Sequence, residues 1–146
     1  LHESVCARLG VTPRGHDEDE ALIEALYAAL GATRVLPDRV FFHWFGGPAS
    51  EARAMRSEAG VSYRGAEFGA FTRALAGYTP ARPERLAHPY FTRPEPVHMH
   101  LDVVEAVWQR IDIADDWSLF EQTIADVREM GEALALAPSP RPLVSR

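Results

Sequence analysis

The chain has 146 residues, 47% hydrophobic side chains and a formal charge of −6 with a pI near 5.5, which suffices for one buried core and falls short of two domains. Every basic residue is an arginine and these are scattered among carboxylates; this argues against a basic nucleic-acid-binding stripe and removes the lysine that P-loop and kinase-type sites place on phosphates. No apolar run approaches the roughly 18–20 residues that span a bilayer, and the single Cys6 excludes an internal disulfide and a multi-cysteine metal site, so a soluble, cytoplasmic protein is expected.

The chain opens on Leu1, with Leu1, Val5 and Leu9 already at helical spacing, and is expected to be part of a longer protein. The first short helix ends near Gly10, where Val11-Thr12-Pro13-Arg14-Gly15 interrupts it. Asp17 followed by Glu20 has the pattern of a capping box, so the acidic run 17–20 reads as a helix start and not as a metal cluster. The stripe of that helix is Leu22, Ile23, Leu26, Tyr27 and Leu30, closed by Gly31. Pro37 opens a short helix over 36–45 that carries Phe41, Phe42, His43, Trp44 and Phe45. Phe41, Trp44 and Phe45 form the inward face; Phe42 and His43 point elsewhere and are the candidate interaction surface. Gly46-Gly47-Pro48 ends the helix with room for positive φ, and lacks the Gly-Lys-Ser continuation of a phosphate loop.

Ser50 to Ala59 suits a further short helix, and Tyr63 to Leu75 an amphipathic one with Phe68, Phe71, Leu75 and Tyr78 at spacings of three and four. Pro80, Pro83, Pro89, Pro94 and Pro96 then impose a long irregular connection, whose Leu86, Tyr90 and Phe91 should hold it over the core. Val97, Leu101, Val104, Trp108 and Ile111 mark one long helix. Trp117, Phe120, Ile124, Val127, Gly131 and Leu134 mark a second, capped by Asp115 and Asp116. Gly131 on that stripe would admit a neighbouring helix. The predicted architecture is all-α: a single-domain irregular bundle of about six to seven helices over residues 1–137, ending in a long antiparallel hairpin, with a Pro-rich tail at 138–146.

Chemistry-bearing patterns are few. His98-Met99-His100 is a His-x-His element. On an extended backbone both rings face one way and share a metal with ease, whereas on a helix they point apart and His98 pairs with Asp102. His98, His100 and Asp102 are the candidate ligands, but two histidines are too few for a tight zinc site, so the three are read first as polar residues at a helix start and no metal is assigned. There is no Gly-x-Ser-x-Gly elbow or other nucleophile signature, and Cys6 reads as a small apolar filler.

The segments Phe41-Phe42-His43-Trp44-Phe45-Gly46-Gly47, Arg85-Leu86-Ala87-His88-Pro89-Tyr90-Phe91, Val103-Val104-Glu105-Ala106-Val107-Trp108 and Ala114-Asp115-Asp116-Trp117 together resemble the C-terminal helical region of a bacterial branch of the selenoprotein O family, over roughly residues 4 to 135. The resemblance implies a parent with a kinase-like core that transfers AMP from ATP to protein hydroxyls with magnesium. That core lies upstream, so the catalytic and ATP- and magnesium-binding residues are expected outside this segment. The segment's partner is then the upstream domain of its own chain, which it buttresses. A stand-alone helical interaction module, with a protein partner or a homodimer, and a small His-based metal-dependent enzyme are the other two readings.

Overall fold

The computed structural model describes residues 2–134, with residues 2 and 3 placed by their backbone alone; the predicted Pro-rich tail at 138–146 lies outside the described residues. The protein is all-α, as its periodicity predicts. Among the described residues there are eight α-helices, three short 3-10 segments and one isolated bridge. None of these helices is long and apolar enough to cross a membrane. Where the sequence suggests one helical domain, the chain divides between Pro96 and Val97 into two compact units.

The first unit holds α1 (His2–Arg8), α2 (His16–Ala32), α3 (Pro37–His43), α4 (Glu51–Arg56), α5 (Gly60–Tyr63) and α6 (Ala66–Leu75). Its most extensive helix contact is between α2 and α6. Leu22, Ile23, Leu26 and Ala29 of α2 and Phe68, Phe71 and Leu75 of α6 are all buried. Tyr27 departs from the predicted stripe and is 55% exposed, since Ala29 takes the inward place one helical step away. Pro37 stands in the first turn of α3 as its fixed φ predicts. Of the segment expected as one helix over 50–59, the shorter α4 is the helical part; a 3-10 turn at Gly47–Ser50 leads into it, and α5 starts just after the segment ends. The Ser50 hydroxyl donates to the Phe45 carbonyl and the Ser57 hydroxyl to that of Ala54; both compete with regular helix at those points.

The predicted start of α2 is displaced. The helix begins at His16 after Gly15, which has φ 132° and makes no side-chain cap. Asp19, not Asp17, secures this end: it turns inward, 4% exposed, and accepts from Arg14 N–H at 3.0 Å, Gly15 N–H at 3.4 Å and the Tyr78 hydroxyl at 2.7 Å. Burial alone would raise its pKa, but these bonds and one from the Cys6 thiol hold it below the ordinary value. Cys6, fully buried beside that carboxylate, is pushed up to about 11 by burial first and by Asp19 second. It is an inert filler that also donates a bond. Nearby, Thr12 N–H donates to Thr79 and Ala81 N–H to Gly10, the bonds around the single Val11–Pro80 bridge.

The second unit contains α7 (Leu101–Ala114) and α8 (Ser118–Ala133), joined by three residues. Asp115 adopts a left-handed φ of 49° at the end of α7, a conformation an aspartate tolerates better than most residues. Asp116 accepts from Ser118 N–H at 3.0 Å, but the N-cap of α8 is Trp117 and it makes no side-chain cap, so the cap expected from the acidic pair does not form. Gly131 was expected to admit a close neighbour, but a Cβ there would meet nothing within 4 Å.

Candidate functional site

The aromatic segment 41–47 is a packing anchor. Val40, Phe42, His43, Trp44 and Phe45 are buried, and Trp44 sits edge-on to Tyr63 and Phe71. The expectation that Phe42 and His43 form an interaction surface is corrected here: Phe42 is 5% and His43 1% exposed. Their cover is the proline-rich connection of the same unit. Phe42 meets Tyr90 edge-on at 5.1 Å and stacks with Phe91, which also stacks on Phe45 at 4.9 Å.

Polar groups bind this cover in place. His43 Nε2 lies 3.2 Å from the Pro94 carbonyl, which can only accept, so Nε2 carries the proton and Nδ1 accepts from the Tyr63 hydroxyl at 2.8 Å. This neutral ring has a lowered pKa, chiefly because burial penalises the imidazolium. Arg39 pairs with Glu95 at 2.7 Å. Arg53 donates to the carbonyls of Phe42 and His43 at 2.8 and 3.2 Å, at the negative end of α3, and lies 4.7 Å above the Phe91 ring. Burial pulls Arg53 down to about 10, still charged at neutral pH. The histidine, the arginine and the tyrosine thus fasten the cover to the anchor.

The paired glycines have φ 94° and 67°, as a turn predicts, but Cβ atoms on them would lie 2.6 Å from Leu86 and 2.9 Å from Val11. They let apolar side chains approach and do not form a phosphate cradle. A pocket of about 200 Å³ lined by Trp44, Pro48, Glu51, Thr72, Arg73, Leu75 and Ala76 is below the size of ordinary small-molecule sites, roughly 300–1,000 Å³.

The predicted ligand trio does come together. Val97 to His100 are not helical, and His100 is the N-cap of α7 with φ −66° and ψ 162°. The extended alternative therefore holds, and α7 starts four residues later than Val97. The His98 and His100 rings stack with centroids 4.1 Å apart and 29° between planes. One ligand atom from each of His98, His100 and Asp102 lies within 4.8 Å of the others, and this is the one such group among the described residues. His98 is half-buried, and His100 and Asp102 are exposed.

A second surface was not foreseen. The stripe read for α7 is not buried: Val104 and Ile111 are half-buried and Leu101 and Trp108 are 70% and 64% exposed, while Val107, outside that stripe, is the buried residue of the helix. Trp117 and Phe120, an edge-on pair with centroids 5.9 Å apart, are also exposed, as is Ile113. Residues 97–134 carry nine carboxylates and two arginines, so these apolar side chains stand in an acidic field. The spacing of α7 identified an apolar face correctly, but spacing does not say whether the chain itself covers it.

No family model, curated protein or solved structure matches this chain.

Proposed function

We propose that this chain is a non-catalytic helical docking domain, whose exposed apolar side chains on α7 and α8 seat against another protein body. The observation that carries this is the set Leu101, Trp108, Ile113, Trp117 and Phe120, all exposed within one acidic segment. Large apolar side chains gathered on a surface mark contact sites. Tryptophan and phenylalanine are the residues that contribute most when such a site closes. The acidic surroundings favour a partner surface with an apolar centre and a basic rim.

The occupant is the upstream domain of the same chain, in a cytoplasmic protein adenylyltransferase of the selenoprotein O type. The chain would buttress that catalytic core, and ATP and magnesium would be handled there. This finer reading is supported by the resemblance of the four segments and by the way two of them fit together. Phe42 and Phe45 of the first pack on Tyr90 and Phe91 of the second, and Gly46 lets Leu86 approach. The second reading is a stand-alone interaction module, which uses the same exposed side chains on a separate protein or on a second copy.

The test is the mass of the native polypeptide in source cells, read with an antibody against this segment. A product several hundred residues longer, which transfers AMP from ATP to protein hydroxyls and loses stability on Trp108→Ser and Phe120→Ser substitution, agrees with the proposal. A product near 16.2 kDa overturns the buttress and leaves the stand-alone module.

A further inference from the structure

We infer that His98, His100 and Asp102 form a binding site for a divalent first-row transition ion at the start of the second unit, independent of the docking role proposed above.

The local backbone builds the site. Residues two apart on extended chain project to one side, which brings the two imidazoles to 4.1 Å. The turn into α7 at His100 then carries Asp102, in the first helical turn, to the same place. Donor atoms sit about 2.0–2.2 Å from a tetrahedral zinc ion and hence about 3.3–3.6 Å from one another. The observed limit of 4.8 Å is closed by small rotations of side chains, two of which lie at the surface.

The donor set selects the ion. Two neutral imidazoles and one carboxylate suit zinc, nickel, cobalt, copper or ferrous iron, and are too nitrogen-rich for calcium or magnesium. Three protein ligands leave at least one position for water, the count found where a metal meets a substrate and not where it only staples a fold. Binding has an identifiable cost. His98 Nδ1 accepts the His100 N–H at 3.4 Å, and that long bond is lost whether the metal takes Nδ1 or takes Nε2 and leaves the proton on Nδ1. The positive end of the α7 dipole also opposes a cation. Asp102 and the acidic surroundings oppose that effect. An exposed site of this kind is of moderate affinity.

The experiment is calorimetric titration of the 146-residue chain with zinc chloride in a non-coordinating buffer at neutral pH. The expected result is one equivalent bound with a dissociation constant on the order of 10 µM. His98→Ala and His100→Ala should each weaken it at least about tenfold and Asp102→Asn severalfold, with helical circular dichroism unchanged. His16→Ala, remote in sequence and on α2, should leave it unchanged. Zinc should also shift the imidazole proton resonances of His98 and His100 ahead of those of the other histidines. Binding no tighter than about 1 mM, or tight binding that survives the His98→Ala/His100→Ala double substitution, overturns the assignment.

Discussion

Removal of the Asp19 carboxylate tests the main polar fixture of the first unit. In Asp19→Ala the Arg14 and Gly15 N–H groups, the Tyr78 hydroxyl and the Cys6 thiol lose their common acceptor. A buried donor left unsatisfied costs about 1–3 kcal/mol. Tyr78 is 4% exposed and Cys6 fully buried, so the hydroxyl bears a large share, while Arg14 and Gly15 are exposed enough for water to serve them in part. A loss of about 3–4 kcal/mol follows, a large part of the roughly 5–15 kcal/mol typical of a domain. Asp19→Asn keeps one acceptor and should cost about half as much. The acid limb supplies an independent check. The folded pKa of Asp19 is lowered from 3.8, so the unfolded state binds the proton more readily; the contribution is complete above about pH 4 and is lost as pH falls through the lower folded value. Urea denaturation, followed by the blue-edge fluorescence of buried Trp44, measures both effects. A cost below about 1 kcal/mol for Asp19→Ala, or an acid limb that Asp19→Asn leaves unaltered, would refute the reasoning.

Three further predictions concern the covered anchor. Tyr63→Phe removes the donor to His43 Nδ1 and should destabilise the unit by about 1–2 kcal/mol. His43 itself has a pKa lowered from 6.5, so wild-type stability should decline as pH falls below about 6.5 towards the folded value, and His43→Gln should flatten that decline in the same urea assay. Gly46→Ala places a methyl 2.6 Å from Leu86 at φ 94°, and should cost about 2–4 kcal/mol from backbone strain and overpacking together. Gly31→Ala is the matched control: nothing lies within 4 Å there, and in the last turn of α2 the change should stabilise by up to about 0.5 kcal/mol, seen as a slightly higher melting temperature.

Periodicity located α2, α3, α6, α7 and α8, because an amphipathic helix writes its buried face into the spacing of its own residues. Composition likewise placed Pro37 at a helix start and the paired glycines at a turn. What spacing could not resolve depends on residues far apart in the chain. Asp19 looks like its acidic neighbours until Tyr78, 59 positions on, supplies a hydroxyl. Phe42 and His43 were assigned to a surface because helical geometry turns them away from Phe41 and Trp44. Their cover arrives from Tyr90, Phe91 and Pro94, about fifty residues later. The connection contained the clue in its own aromatic residues, which have no reason to lie on a free linker. The ligand trio was visible as a pattern, but its geometry depended on where α7 begins. The side-chain bond from His100 N–H to His98 Nδ1 satisfies a donor without helix, and the extended alternative follows.

The two units divide the chemistry between them. In the first, the polar groups that a sequence offers as functional are consumed internally: Asp19 by two backbone N–H groups, a phenol and a thiol, His43 by a phenol and a carbonyl, Arg53 by the end of α3. A group whose hydrogen-bonding capacity is already met by the fold gains little from a ligand and resists the displacement that catalysis requires. In the second unit the order is reversed. Trp108, Trp117 and Phe120 remain exposed, and His98, His100 and Asp102 converge next to a helix start. Exposed apolar area and convergent metal-type donors are both costly for a chain to keep unless something binds them. If the proposed docking and metal-binding roles hold, substitutions of equal size should separate: those before Pro96 should read out as lost stability of this chain, those between 97 and 134 as lost binding with its fold intact.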